Sequence, residues 1–261
     1  MSAYERIPLD HALILQADAD TIYLDGYVDA MLRACSDGRG QLLEGCAVTN
    51  REFNAQYPEF TQICRDIDFG MERWLALEED QVVVDDKVSG VSLADYIAWG
   101  EHREEVDSLG RQIHAETTRL FLRAKCTGVA RRRKVENALA LPSRRKLFAQ
   151  APAYFAASGF PRNREWIASW SHTGDATVFL ASPTRSPWLD RLVRSRQRHQ
   201  LAFFGLLPSL FQEEAHITAN LLNPSMSLRK TMKDAPPGLV LERVLSLADG
   251  EGGILDAILA Q

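Results

Sequence analysis

Apolar positions along most of this chain recur at steps of three and four, the pattern of helices that bury one face. "YVDAMLRAC" puts Val28, Met31 and Leu32 on one face, and "SDGRG" interrupts it with two glycines. A short helix over "QLLEGC" is expected next, then Thr49 as the N-cap of "NREFNAQ". Helix, glycine-bearing break and capped helix is the order of a helix-turn-helix. After "YPEF" a long helix is expected to about Leu77, with Phe60, Ile63, Ile67, Met71 and Trp74 at steps of 3, 4, 4 and 3. Upstream, "HALILQ" suits a first helix or a short strand equally.

"QVVVDDKVSG" is acidic and β-branched, and reads as a strand or an extended linker. The earlier pattern then recurs at an offset of 43, aligning Thr49 with Ser92, Phe53 with Tyr96 and Leu77 with Leu120. In the second copy Val106, Leu109, Ile113 and Leu120 would form the long stripe. Such a period marks a duplicated unit or a chance likeness of two capped amphipathic helices. "VARRRKVENALAL" reads as a helix that Pro142 ends. "ATVFLA" reads as a strand or a buried helical turn. Phe155, Phe160, Trp166, Trp170 and Trp188 are expected in the core rather than as a stacking platform. Pro187 suits the opening of a helix over "WLDRLVRSRQRHQLAFFGLL".

The expected fold class is therefore mainly α. Helix-turn-helix-like N-terminal units with long helices occupy residues 1–120, and a basic, α-rich region with at most a short strand pair occupies 121–261.

Charge changes this picture more than composition does. The chain has 261 residues, 46% hydrophobic and 25% charged, an ordinary globular balance. Its net charge of −5 conceals a polarity: −15 over residues 1–118, +13 over 119–200 and −3 over 201–261. The basic stretch holds Arg131, Arg132, Arg133 and Lys134, then Arg144, Arg145 and Lys146, then Arg191, Arg194, Arg196 and Arg198. Concentrated cation attracts polyanions whatever the overall pI, so nucleic acid is the expected partner, DNA first. The opposing reading pairs these arginines with the acidic half, inside one chain or between copies in a homo-oligomer. Three consecutive arginines on one helix face could not all find internal partners, which favours nucleic acid.

Other chemistry is sparse. Cys35, Cys46, Cys64 and Cys126 form no Cys-x-x-Cys pair, so neither zinc nor a disulfide framework is expected. The N-terminal stretch reads as neither signal nor membrane span, so a cytoplasmic protein is expected, with no membrane partner. Asp85-x-Lys87 has the local look of a Mg²⁺ nuclease strand, with Asp66, Asp68 or Asp80 offering a second carboxylate. Glu213-x-x-His216 is half of a di-iron helix signature whose second half is missing. "GEGG" lacks the Lys-Ser/Thr of a phosphate loop, and no Gly-x-Ser-x-Gly elbow occurs. His102, His114 and His172 read as surface or capping residues. No catalytic residue, cofactor or metal is expected.

The stretch "VTNREFNAQYPEFTQICRDIDFGMERWLALE" resembles the DNA-binding head of the small terminase subunit of tailed phages. Pro58, Glu59, Phe60, Trp74 and Glu78 would fill the family's "PEF"-type junction and the end of its long helix. The resemblance covers about residues 27–79. It implies a nuclease-free subunit that recognises viral DNA, usually as a ring, and hands it to a motor-nuclease. This head is acidic where the family's simplest form is not, which shifts the expected contact to the later arginines. The resulting expectation is a non-catalytic nucleic-acid-binding protein of phage-type recognition or packaging. Arg131, Arg132, Arg133, Lys134, Arg144, Arg145, Arg194, Arg196 and Arg198 would touch phosphate, Arg51 and Asn54 base edges, and the acidic half another protein. A charge-driven assembly subunit and a nuclease at Asp85 and Lys87 remain the alternatives.

Overall fold

The computed structural model describes residues 8–106, 110, 112, 115–128, 130–158, 175–184, 186–232, 237–249 and 253–259. Two compact units share the chain: Met1–Val48 with Leu77–Pro142, and Thr49–Ala76 with Ser143–Gln261. The divide expected near residue 120 falls inside the first unit.

That first unit is built on a five-stranded mixed sheet in the order β1-β4-β3-β5-β2, comprising β1 Leu13–Leu15, β2 Thr21–Tyr23, β3 Gln41–Ala47, β4 Ser89–Ser92 and β5 Arg131–Pro142. Only β3 and β5 run parallel. The expected mainly helical class is thus corrected to α/β. Two segments read as helices are strands. "QLLEGC" is β3, a parallel partner buried continuously from Leu42 to Gly45, so its burial does not alternate. "RRRKVENALAL" is β5, with Val135, Ala138 and Ala140 buried against α1 (Tyr27–Cys35) and β3. Its alanines favour a helix locally, but two small residues let β3 approach closely, and tertiary packing outweighs propensity. A Cβ on Gly45 would stand 2.6 Å from the Ala138 carbonyl oxygen.

The expected helix-turn-helix is not formed. Residues 27–56 run helix, strand, helix (α2, Arg51–Gln56), and the chain passes from one unit to the other at Thr49. The cap also moves by one: Asn50, not Thr49, accepts from the Glu52 N–H at 2.8 Å. Ser92 does cap its helix, α4 (Leu93–Ala98), by accepting from the Asp95 N–H at 3.1 Å. The likeness at offset 43 stops there. α3 (Pro58–Met71) follows the first cap, whereas residues 101–105 after the second are irregular, and Leu109 and Ile113 lie outside the described residues.

Irregular residues 99–105 are tied to α5 (Glu116–Cys126) by two arginines. Arg123 bonds Glu105 at 2.7 Å and the Glu101 carbonyl, and the fully buried Arg119 bonds the Arg103 carbonyl at 3.1 Å. Beside them the Thr117 hydroxyl stands 3.5 Å from His102 Nε2. Burial lowers the His102 pKa, so the ring favours its neutral form. Burial raises the Asp86 pKa against the Thr117 hydrogen bond, and one Asp86 oxygen is buried without a hydrogen-bond partner among the described residues. A raised carboxyl pKa contributes stability below the ordinary Asp value and loses it as pH rises through the folded value. Asp86→Asn is therefore expected to raise the urea midpoint at pH 7 and to reduce its dependence on pH above 4; a lower midpoint at pH 7 contradicts this.

The second unit is helical among its described residues. On α3 the stripe Phe60, Ile67 and Met71 is buried, Ile63 half-buried, and a 3₁₀ turn (Glu72–Trp74) carries it on to buried Trp74. Phe60 packs on Phe155 of α7 (Ala151–Ala156) and Phe179 of α8 (Ala176–Ala181), with ring centres 5.7 and 6.0 Å away. "ATVFLA" is thus a helix, started by the Asp175 carboxylate accepting from the Thr177 N–H at 2.7 Å. Of the aromatic group expected in the core, Phe155 is buried and Trp188 half-buried, and Phe160, Trp166 and Trp170 lie outside the described residues; Phe179 is also buried. Ser186 and Pro187 open α9 (Pro187–Gln200), which continues as a π-helical turn, Leu201–Leu206. Pro208 has no N–H for the Phe204 carbonyl, which instead accepts from Ala76 N–H at 2.8 Å. α10 (Ala219–Met232), α11 (Pro237–Asp249) and α12 (Ile254–Leu259) complete the unit. No described helix is long and apolar enough to cross a membrane.

Candidate nucleic-acid interface

A strand sends successive side chains to opposite faces, and this divides the run Arg131 to Lys134. Arg132 and Lys134 go to one side. The Arg132 guanidinium grips both Glu44 oxygens, at 2.5 and 3.1 Å, and donates to the Glu78 carbonyl at 2.8 Å. Lys134 stands 3.0 Å from the Glu78 carboxylate and 3.6 Å from Glu44. Burial opposes the Lys134 charge, but the Glu78 hydrogen bond and the field of Glu44 outweigh it and raise its pKa. The same hydrogen bond lowers the Glu78 pKa. Arg133, on the other side, pairs with Asp37 at 2.7 Å and donates to the Ala34 carbonyl at 3.2 Å. Of the four, Arg131 is the one whose exposed side chain makes no hydrogen bond or ion pair among the described residues. The premise that this run cannot be satisfied internally is thereby corrected: it assumed a helix, and the segment is a strand.

Several later arginines are also engaged. Arg194 pairs with Asp256. Arg196 lies 5.4 Å over the Phe155 ring and 3.3 Å from Asp68. Arg198 is half-buried on α9. Sorted by folded unit, the charges read −7 for the first (13 Lys/Arg, 20 Asp/Glu) and +2 for the second (17 and 15). The steep polarity along the chain largely cancels within the folded units.

One predicted group is drawn together. Arg144 precedes α6 (Arg145–Ala149), donates to the Thr49 hydroxyl at 2.6 Å, and lies 5.5 Å over the Phe53 ring. Phe148 of α6 meets Phe53 and Tyr57 edge-on, at 5.8 and 5.9 Å. These contacts pack α6 against α2, so the segments that carry Arg144, Arg145 and Lys146 and Arg51 and Asn54 meet although about ninety residues of sequence separate them. Arg51 and Lys146 are exposed, and their side chains make no hydrogen bond or ion pair among the described residues. Asn54 is half-buried and accepts weakly from Thr61, at 3.5 Å, which leaves it less available to a base edge than expected. Exposed Glu52 and Glu59 are the acids of this segment. Lys146 was visible within its basic cluster, but Phe148 was not singled out; its exposure follows only from how α6 packs.

Asp85 caps a 3₁₀ turn (Asp86–Val88), accepting from the Lys87 N–H at 3.2 Å and its ammonium at 2.9 Å. Asp66 and Asp68 belong to the other unit. Among the described residues no three His, Cys, Asp or Glu side chains are grouped to hold a metal. Burial raises the pKa of all four cysteines, Cys64 to about 11, which disfavours the nucleophilic thiolate. No family model, curated protein or solved structure matches this chain.

Proposed function

We propose that this protein binds nucleic acid without acting on it chemically, through the surface formed by α2 and the Arg144–Lys146 segment. The supporting observation is that Phe148 of α6 packs on Phe53 of α2 while Arg144 reaches Thr49 and Phe53, which puts the exposed cations Arg51, Arg145 and Lys146 on two packed segments beside a partly exposed aromatic ring. Cations held at a fixed surface neutralise phosphates and release counterions. Arg131 to Lys134 are no longer counted in the contact, because three of the four hold the first unit together. The packaging role implied by the resemblance rested on a helix-turn-helix that residues 27–56 do not form, so the proposal is limited to binding. Charge-driven assembly loses support for the same reason as the basic run: the opposite charges meet within one unit. Fluorescence anisotropy of labelled DNA across a salt series tests the reading. Log affinity is expected to fall linearly with log salt; absence of binding at low salt overturns it.

A further inference from the structure

We infer that the α2–α6 surface is a single-strand site at which one DNA base stacks on Phe148, an inference that rests on the nucleic-acid reading above. Phe148 is 42% exposed although its ring packs on Phe53 and Tyr57. Those two rings hold it by packing while part of it stays open to solvent. Arg144, Arg145 and Lys146 precede it on the same short segment, and Arg51 stands on the neighbouring helix.

An aromatic platform edged by cations is the arrangement that holds single strands: the base covers the ring while guanidinium and ammonium groups take the flanking phosphates. A duplex keeps its bases stacked inside and cannot offer one to a fixed ring without local unstacking. Phe69, at 80% exposure, is a larger apolar surface, but Asp66, Asp68 and Glu72 lie within one turn of it and repel a phosphate chain. Thr49 accepts from Arg144 and Asn54 weakly from Thr61. Ring stacking and phosphate contact require no ribose 2′-hydroxyl, and the inferred ligand is DNA.

The test is anisotropy with a labelled 20-nucleotide single strand, its duplex and the matching RNA, on wild type, Phe148→Ala, Phe148→Leu and Phe69→Ala. Phe148→Leu keeps the apolar packing on Phe53 and Tyr57 and removes only the π face, which guards against a folding defect. Single-stranded DNA is expected to bind more tightly than duplex. Both Phe148 variants should weaken it about tenfold with an unchanged salt slope, and Phe69→Ala should not. Duplex binding equal to or tighter than single strand, or full affinity in Phe148→Leu, overturns the inference while leaving the nucleic-acid reading intact. RNA binding tenfold tighter overturns the assignment to DNA. No binding of any of the three by wild type overturns the underlying reading itself.

Discussion

Glu44→Ala is expected to destabilise the sheet-bearing unit by about 3–5 kcal/mol, the cost of leaving a buried charge without its partner. The Glu44 side chain is 5% exposed and that of Arg132 8%. With the carboxylate gone, Arg132 keeps the Glu78 carbonyl but loses both charge-assisted bonds, and Lys134 loses one of its two anions. The loss would appear as a lower urea midpoint with an unchanged slope of the transition. Replacing the pair together, Glu44→Leu with Arg132→Leu, removes the stranded charge and is expected to recover most of the stability. A Glu44→Ala variant within about 0.5 kcal/mol of wild type, the range of an ordinary surface substitution, contradicts a structural role for this basic run.

The second large effect concerns binding. The triple change of Arg51, Arg145 and Lys146 to Ala removes three cations, which on single strands contribute about 0.7 each to the slope of log affinity against log salt. A drop in slope of about two is expected, with affinity at low salt falling at least tenfold. All three side chains are exposed, so the folded state should be little affected. Loss of affinity with an unchanged slope would mean that these groups do not meet phosphate.

Legibility of this fold in its sequence varied by element. The α3 stripe was readable because a fourteen-residue amphipathic helix repeats its signal over several turns. The Ser92 cap and the Pro187 start were readable because each rests on local chemistry. β3 and β5 were not. Their pairing is parallel and brings together residues about ninety positions apart, so nothing within either segment announces it. β5 compounds this with good helix formers and a charge run whose acidic partners, Glu44, Glu78 and Asp37, lie elsewhere in the chain. The candidate interface was legible in part. Arg51, Arg144 and Arg145 could be named from charge, but the meeting of their two segments depends on Phe53, Tyr57 and Phe148 packing together, and sequence spacing carries no trace of that.

Lysine footprinting tests the central claim most directly, because Lys134 and Lys146 stand for the two basic segments. Mild acetylation of the folded protein, with and without saturating single-stranded DNA, would be read by mass spectrometry at each lysine. The account predicts that DNA protects Lys146 and leaves Lys134, held by Glu78 and Glu44, with unchanged reactivity. Protection of Lys134 with Lys146 still reactive would contradict it, returning the contact to the β5 strand.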